Sequence, residues 1–380
     1  MGLVTALRLA SFGIPSVVLE KSQELPRDLR ATTFHPPTLD MLEDLGVLSA
    51  IEPLGIVTPA WQVFHLATRQ RAVFDMAAIG DATRHPYRLQ CEQYKLVKEL
   101  SERASANPLI DFRLGAETTA VGQDASGAWA EVAGERVRGA YVVGADGAHS
   151  VVRSGIGLKL EGETYPSLTI LVTTDFAFEE HIPELLGANY VWGPIDSFSM
   201  FRLREEWRCT FYPRPGQDED ISLTDEALQE RLHGIVDIAG DFPIRERRGY
   251  RIHQRIVPRY RVGRIVLAGD AAHLNAPTGG MGMNGGIHDA VNLSDKLRRI
   301  LGGESDTLLD AYSEERQPVA KEEIIAQAHT NRTRMQQTDQ AAQLKSLADL
   351  QAIAADPARL KAFVLKASMI EGVRRSGMNA

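Results

Sequence analysis

Residues 263–293 are GRIVLAGDAAHLNAPTGGMGMNGGIHDAVNL, a pattern that predicts a strand, a glycine-rich loop and a helix in succession. The strand ends at Gly269 and Asp270, and the loop then contains Gly279, Gly280, Gly282, Gly285 and Gly286. So many glycines are tolerated mainly where the backbone bends tightly or touches a ligand, because each one costs conformational entropy. Backbone N–H groups at the helix start would offer a positive pole to an electron-rich, partly anionic ring system. A purely structural loop is the alternative interpretation.

A second strand also ends in glycines. Residues 138–153 are RGAYVVGADGAHSVVR, where an apolar strand is followed by Gly144, Asp146 and Gly147. Ligands in open α/β sheets bind at the carboxyl edge of the strands, so this stretch predicts a second contact with the same ligand. A plain Asp-Gly turn would explain the residues equally simply.

The first twenty residues predict a helix from Gly2 and then the strand SVVLE, which ends at Glu20. In a dinucleotide-binding unit, the last glycine of G-x-G-x-x-G starts such a helix, and an acid about 20 residues later binds the ribose. The preceding strand and the first two glycines are not in the sequence. We therefore expect the natural protein to begin about a dozen residues earlier. The alternative is an ordinary N-terminal helix followed by a strand that happens to end in glutamate.

Composition indicates a folded enzyme-sized chain of 380 residues, with 44% apolar and 24% charged residues. Lys and Arg number 42 against 50 Asp and Glu, and the net charge of −8 argues against a nucleic acid partner. Cys91 and Cys209 stand far apart and form no metal-binding motif, which predicts free thiols in a reducing compartment. No apolar run approaches the ~18 residues of a membrane-spanning helix. These features predict a cytoplasmic protein with no metal.

Helical and strand patterns divide the chain into discontinuous pieces, which predicts an α/β fold with an inserted sheet. Alternating helices and parallel strands indicate a Rossmann-like domain made of residues 1–52, 88–160 and 255–300. Strands with alternating or continuously apolar residues indicate an antiparallel-sheet substrate domain made of residues 53–87 and 161–254. Residues 301–380 are predicted to be helical, with Asp356-Pro357 at the start of the last helix.

Several separated motifs together resemble one family, and their order and approximate spacing agree with it. The motifs are VVLE (17–20), DLRATTFHPPTLDMLEDLG (28–46), LQCEQYKLVKEL (89–100), VVGADGAHSVVR (142–153), the stretch from residue 263 to residue 297, and LLDAYSEERQPVA (308–320). The chain resembles the FAD-dependent aromatic-ring hydroxylases, which are single-component flavoprotein monooxygenases of the p-hydroxybenzoate hydroxylase type. The resemblance extends from Gly2 to about Ala320. It implies FAD as the cofactor of a Rossmann-like FAD-binding domain.

The resemblance also implies roles for individual residues. Gly2 and Glu20 would serve the adenosine end of FAD, Arg30 the pyrophosphate and Gln90 the ribityl chain. Asp146, with Gly144 and Gly147 around it, would belong to a loop that serves both FAD and the passing NAD(P)H. Asp270, which follows Gly269, would bind the ribityl chain. The residues expected to flank the isoalloxazine ring are Pro277, Gly280, Gly282, Met283 and Asn284, the last three through their backbone.

The resemblance implies that NADH or NADPH reduces the flavin and that O2 then forms a flavin hydroperoxide, which hydroxylates a phenolic or aromatic-acid substrate. Because the cofactor carries this chemistry, we expect no catalytic acid–base residue in the protein. The inserted sheet would contact the substrate through Tyr190, Trp192, Arg202, Phe211 and Tyr212, although ordinary sheet packing would explain each of them alone. His273 is expected to pack in its loop. The apolar face of the last helix could pack on the FAD-binding domain or on a second subunit, so a homodimer is compatible with the sequence.

Two other functions remain open at this point. A flavin-dependent reductase or dehydrogenase could use the same fold without inserting oxygen. If the first strand is genuinely missing, the chain would be a non-enzymatic scaffold with poor affinity for FAD.

Overall fold

The computed structural model describes residues 1–27, 31–194, 196–212, 214, 219–275 and 279–378, without the side chains of residues 166 and 167. Arg30 and Pro277, which the sequence predicts to contact FAD, lie outside the described residues.

Strands and helices alternate along the described chain. The strands are β1 (Ser16–Glu20), β2 (Thr33–Phe34), β3 (Ile56–Thr58), β4 (Ala60–His65), β5 (Gln70–Asp75), β6 (Arg88–Gln90), β7 (Ile110–Leu114), β8 (Thr118–Asp124), β9 (Gly127–Val132), β10 (Glu135–Gly139), β11 (Val142–Gly144), β12 (Glu161–Thr174), β13 (Ala188–Trp192), β14 (Ser197–Arg202), β15 (Trp207–Phe211), β16 (Ile244–Ile256), β17 (Arg261–Val262), β18 (Ile265–Leu267) and β19 (His273–Leu274). The α-helices are α1 (Gly2–Ser11), α2 (Pro36–Asp44), α3 (Leu48–Ile51), α4 (Gln93–Ala106), α5 (Val151–Gly155), α6 (Asp225–His233), α7 (Met281–Leu301), α8 (Leu308–Val319), α9 (Ala326–Met335), α10 (Gln340–Ala355), α11 (Pro357–Ala367) and α12 (Ile370–Arg375). A π-helical turn, Ala320–Ile325, joins α8 to α9.

Parallel strands and helices form one part of the molecule. β1 pairs with β7, and β11 pairs with β18, each in parallel register. Helix α1 packs against β1, α4 and α7. Within the described residues these two parallel pairs belong to separate sheets, yet Leu19 of β1 and Val143 of β11 pack against the same hydrophobic cluster. This arrangement, with the large sheet described next, confirms the α/β fold class predicted from the sequence.

The apolar strand predicted before Gly144, in the stretch that begins at residue 138, is divided between two strands in the structure. β10 forms a hairpin with β9, whereas β11 pairs with β18 in another sheet. The chain changes sheets between Gly139 and Val142, so the prediction of one continuous strand is wrong.

An eight-stranded sheet forms the second part, in the order β19-β16-β12-β15-β14-β13-β4-β5. Strands β4 and β5 come from residues 53–87, and β4 pairs in parallel with β13. The sheet therefore combines both sequence segments that were assigned to the substrate domain, although the domain boundaries themselves stay a prediction. The alternation of apolar and polar residues within residues 53–87 also predicts half-exposed strands. That is wrong for β4, whose residues from Trp61 to His65 are all buried because hydrophobic clusters cover both faces.

Helices α8 to α12 form the C-terminal part. Asp356 caps α11 as predicted, since its carboxylate accepts hydrogen bonds from the N–H groups of Ala358 (2.9 Å) and Arg359 (3.0 Å). This is not the last helix, however. Met369 adopts a left-handed φ of +64°, which ends α11 and allows α12 to begin at Ile370. No helix in the described ranges combines the length and the apolar character needed to cross a membrane.

Candidate active site

Three of the predicted glycine motifs meet around the start of α1. A Cβ atom added to Gly2 would lie 3.8 Å from the Cβ of Ala145, which follows β11. A Cβ atom added to Gly269 would lie only 2.8 Å from Cγ of Met1, and one on Gly286 would lie 2.7 Å from its Sδ. Gly269 also has a left-handed φ of +61°. The left-handed φ of Gly269 therefore favours glycine there, and the Met1 side chain fills the space beside Gly269 and Gly286 at the start of α1.

The three acids predicted to serve FAD stand in different local settings. Asp270 is exposed and lies close enough to the Met1 amine to oppose the lowering of that amine's pKa by burial. Asp146 supports the first turn of α5, whose N-cap is Ser150, because its oxygens accept from Ser150 Oγ (2.5 Å) and from the N–H of Val152 (3.0 Å). Glu20 accepts from the N–H of Ser22 at 2.9 Å. Their convergence on one cofactor stays a prediction, and the support that Asp146 gives to α5 was not foreseen.

The glycine-rich loop starts α7 without a side-chain cap. Gly279 and Gly280 have left-handed φ angles of +97° and +69°, and Gly280 occupies the N-cap position. A Cβ atom on Gly280 would lie 2.9 Å from the Cβ of Thr33, so this loop packs directly on β2. The first N–H groups of a helix have no partner within the helix. Those of Gly282 and Met283 lie at the positive end of a 21-residue helix, which is a favourable place for an anionic or polar ligand.

Asn284 holds this loop in place through its side chain. Its Nδ2 donates to the carbonyl oxygens of Thr33 (2.8 Å) and Gly280 (2.6 Å), and its Oδ1 accepts from the N–H of His35 (2.9 Å). The side chain is fully buried. The sequence predicted only a backbone contribution at this position, so the side-chain role was missed.

Two buried polar atoms next to the loop lack partners among the described residues. Gln90 accepts from Thr33 Oγ1 at 2.8 Å, which leaves its Nε2 unpaired. His35 Nε2 lies 2.7 Å from the carbonyl oxygen of Gly279 and must donate to it, so Nδ1 of the neutral ring is an unpaired acceptor. One unpaired donor and one unpaired acceptor beside uncapped helix amides fit a cofactor that carries hydroxyl groups and a polar ring.

A buried charged network supports the loop from behind. Asp289 accepts from the N–H of Gly269 (3.1 Å), from His273 Nε2 (2.8 Å) and from Arg316 Nε (2.7 Å). Burial alone would raise the pKa of Asp289, but the charges of Arg316 and His273 lower it to about 2. His273, which the sequence predicts to pack in its loop, instead bonds to Asp289 of helix α7 and stacks on Tyr260, with 6.0 Å between the ring centroids. In the part of the chain that the structure describes, no three His, Cys, Asp or Glu residues are grouped so that they could hold a metal.

The buried His288 of helix α7 should make the stability of the protein depend on pH. Burial and the charge of Arg316 lower the pKa of His288 to about 3, while its Nε2 lies 2.9 Å from Thr38 Oγ1. The unfolded chain takes up a proton near pH 6.5 and the folded protein does not, so stability is complete above pH 6.5 and falls as the pH drops toward 3. Over this pH range we expect the free energy of unfolding of the wild type to fall by about 1.4 kcal/mol per pH unit more than that of His288→Gln.

Urea unfolding at several pH values measures this difference. The glutamine of His288→Gln can keep the hydrogen bond to Thr38 but does not titrate. The two proteins should show the same slope between pH 7 and pH 8, which serves as the control. Equal slopes between pH 5 and pH 6.5 would contradict the prediction.

A cavity of about 290 Å³ lies between the loop, the large sheet and the C-terminal helices. Gly279 and Met281 border it on the loop side, and Arg88 of β6 lies beside them. Trp61 and Val63 of β4 and Tyr190 of β13 form its sheet wall. The outer wall comes from α9 and α11, through Thr330, Asn331, Arg334, Met335, Phe363 and Lys366.

The five predicted substrate contacts divide between the two faces of the sheet. Tyr190 lines the cavity, and Trp192 and Tyr212 belong to the same hydrophobic cluster on that face. Phe211 belongs to the cluster on the opposite face. Arg202 lies over the ring of Trp207 and forms a salt bridge with Glu179 at 3.3 Å. Phe211 and Arg202 are not among the described residues that line the cavity. Sequence reasoning missed the contributions of α9 and α11, because amphipathic helices carry no signal for a cavity wall.

Comparison with known proteins gives a consistent result. The sequence profile described as "FAD binding domain" matches residues 1–328. The para-nitrophenol 4-monooxygenase of Pseudomonas sp. (strain WBC-3) is 30% identical over 388 residues, covering 98% of this chain and 94% of that protein. The 6-hydroxy-3-succinoylpyridine 3-monooxygenase HspB of Pseudomonas putida (strain DSM 28022 / S16) is 30% identical, covering 87% of this chain and 85% of HspB.

Solved structures agree with these sequence matches. The crystal structure of p-nitrophenol 4-monooxygenase PnpA from Pseudomonas putida DLL-E4 superposes with a TM-score of 0.88 at 29% identity, covering 96% of this chain and 95% of PnpA. The flavin-dependent monooxygenase PieE, crystallised with FAD and substrate, shares the fold with a TM-score of 0.79 at 24% identity, covering 98% of this chain and 70% of PieE.

Proposed function

Since this chain belongs to the FAD-dependent aromatic hydroxylases, flavoprotein monooxygenases that share its FAD binding domain, we propose that it hydroxylates a small aromatic substrate with NADH or NADPH as the reductant and O2 as the oxidant. Bound FAD would supply the redox chemistry, in which one oxygen atom enters the ring and the other leaves as water while NAD(P)H is oxidised. The observation that carries the proposal is the cavity bordered by Gly279 and Met281 of the glycine-rich loop.

The chain's own groups would bind and orient the cofactor. Nε2 of Gln90 would donate to a hydroxyl group of FAD, and Nδ1 of His35 would accept a hydrogen bond from it. The N–H groups of Gly282 and Met283 would stabilise negative charge on the ring edge that they face. Asn284 and Asp289 would act indirectly, because each holds the backbone that carries these groups.

The cavity would hold the substrate ring and exclude water from it. Its aromatic wall is rigid, since Trp61 stacks on Phe74 (4.3 Å between ring centroids) and on Phe363 (6.0 Å). Its volume of about 290 Å³ is at the lower end of the usual range for small-molecule sites, about 300–1,000 Å³. We therefore infer a one-ring substrate. The name of the para-nitrophenol 4-monooxygenase, whose sequence aligns with 98% of this chain, supports a phenol of that size.

Isotope labelling tests the proposal. The purified protein should bind FAD and turn yellow, and one-ring phenols and aromatic acids should be screened for stimulated NAD(P)H oxidation. With ¹⁸O2, we expect a hydroxylated product that contains one ¹⁸O atom, and O2 uptake equal to product. An oxidised product formed without O2 uptake would instead indicate a flavin-dependent reductase or dehydrogenase. A protein that cannot be loaded with FAD would contradict both.

A further inference from the structure

Arg88 is a buried cation that lacks a counter-ion among the described residues. Its side chain lines the cavity and is only 2% exposed. Nε and Nη1 have no hydrogen-bond partner there, Nη2 reaches the carbonyl oxygen of Ala367 at 3.4 Å, and the Tyr190 hydroxyl is within hydrogen-bonding reach of the guanidinium. The guanidinium lies over the ring of Trp61 at 4.8 Å, and the phenol of Tyr190 is close enough to stabilise its charge. These neighbours are neutral, so the charge of Arg88 is not neutralised.

Two other buried arginines are paired with acids. Arg316 binds Asp289 at 2.7 Å, and Arg231 lies 3.3 Å from Asp196. Arg332, which is only 1% exposed, has no acid partner among the described residues and lies over the rings of Tyr165 (4.6 Å) and Tyr212 (5.6 Å), whereas Arg88 lines the cavity. Glu322 is the acid among the described cavity-lining residues, and it already forms a 2.7 Å salt bridge with Arg375. A buried charge without a partner is costly, and removing it is usually neutral or stabilising. Arg88 is therefore placed at a cost to stability, which suggests a ligand that supplies the missing charge.

The position of Arg88 along β6 relates it to the proposed cofactor site. Side chains two residues apart in a strand project to the same side, so Arg88 and Gln90 project together at a spacing of about 6.6 Å. His35, which contacts Gly279, is close enough to Arg88 for that charge to contribute to the lowering of the pKa of His35, which is caused mainly by burial. An anion on Arg88 would therefore lie next to the glycine-rich loop and within the cavity.

We propose that Arg88 binds the anionic oxygen of the substrate, so that the substrate is an aromatic anion, either a phenolate or an aromatic carboxylate. The inference rests on the proposed function for the identity of the site. Guanidinium N–H groups match the oxygens of either anion, and charge-assisted hydrogen bonds are the stronger class. Trp61, Tyr190, Met281 and Phe363 provide the apolar surface that a ring requires.

Binding to the FAD-loaded enzyme without NAD(P)H tests the charge preference. The probes are 4-nitrophenolate and 4-hydroxybenzoate, each measured by calorimetry against its neutral counterpart, 4-nitroanisole and methyl 4-hydroxybenzoate. We expect wild type to bind at least one anion about 10- to 100-fold more tightly than its counterpart, as is typical for a hydrogen-bonded charge. Arg88→Met should remove this preference, and Arg88→Lys should retain part of it. A wild-type enzyme that prefers neither anion would overturn the inference.

Two controls separate anion binding from a structural role. Lys366→Met removes an exposed cation from the rim of the same cavity and should change the preference by less than about twofold, because water screens exposed charges. Arg88→Met should leave Tm unchanged or raise it, since the variant no longer buries an unpaired charge. A lower Tm with equal loss of affinity for anionic and neutral probes would show that Arg88 is structural, and would overturn the inference.

The outcomes also distinguish this inference from the proposed function. If the anions bind through Arg88 but are not hydroxylated, the proposed function is wrong and the anion site remains. If an aromatic compound is hydroxylated at the same rate by wild type and Arg88→Met, the proposed function holds and this inference is wrong.

Discussion

Replacing Arg316 with methionine should lower the free energy of unfolding by about 3–5 kcal/mol, because it leaves the carboxylate of Asp289 as a buried charge without its main partner. Both side chains are fully buried, and the Arg316 guanidinium also donates to Ser376 Oγ (2.7 Å) and to the carbonyl oxygen of Gly285 (3.3 Å). Urea unfolding at pH 7 measures the loss.

The double variant Arg316→Met/Asp289→Leu provides the matched control. It removes both charges, and replacing a whole buried pair by apolar residues is often neutral or stabilising. We expect it to be more stable than Arg316→Met, although the N–H of Gly269 then loses its acceptor. A single variant that loses less than about 1 kcal/mol would show that Asp289 does not carry its charge in the fold.

Asn284→Leu should weaken FAD binding by at least about tenfold, which corresponds to about 1.4 kcal/mol. The change removes the hydrogen bonds that join Thr33, His35 and Gly280, and the buried carbonyl of Thr33 and N–H of His35 lose these partners. Each unsatisfied group costs about 1–3 kcal/mol. The loop that precedes α7 would then lose its fixed position on β2. Fluorescence titration of the apoprotein with FAD measures the affinity.

Asn292→Leu is the matched control on the same helix. Asn292 is also buried and is bonded to Glu315 (2.9 Å) and to the carbonyl oxygen of Ser376 (3.2 Å), two turns further from the loop. We expect it to reduce stability with little effect on FAD affinity. Equal effects of the two variants on FAD affinity would show that Asn284 acts only through general stability.

The fold class and the family could be predicted because they depend on local signals. Gly279 and Gly280, which precede α7, adopt left-handed backbone angles, and Gly280 also packs closely on Thr33 of β2, so glycine at these two positions is informative by itself. The end of the strand before Gly269 could likewise be predicted, because Gly269 adopts a left-handed φ of +61°. Strand boundaries were less predictable where pairing partners decide them, as between β10 and β11, which join different sheets.

The substrate side of the site depends on contacts between residues far apart in sequence. Arg88 looks like any arginine at the start of a strand until its surroundings show that it has no acid beside it. Phe211 and Tyr212 are neighbours in sequence but belong to hydrophobic clusters on opposite faces of the sheet. The pairing of Asp289 with Arg316, and the closure of the cavity by α9 and α11, likewise appear only when the chain is folded.

The outer wall of the cavity belongs to helices α9 and α11, some fifty to eighty residues beyond the glycine-rich loop. Both helices lie outside the match to the FAD binding domain, except for the first three residues of α9. Substitutions in that wall can accumulate without altering a single group that would hold the cofactor. If the cavity holds the substrate as we propose, evolution or a directed library restricted to those two helices would change which compound is accepted while the groups proposed to hold FAD stay constant.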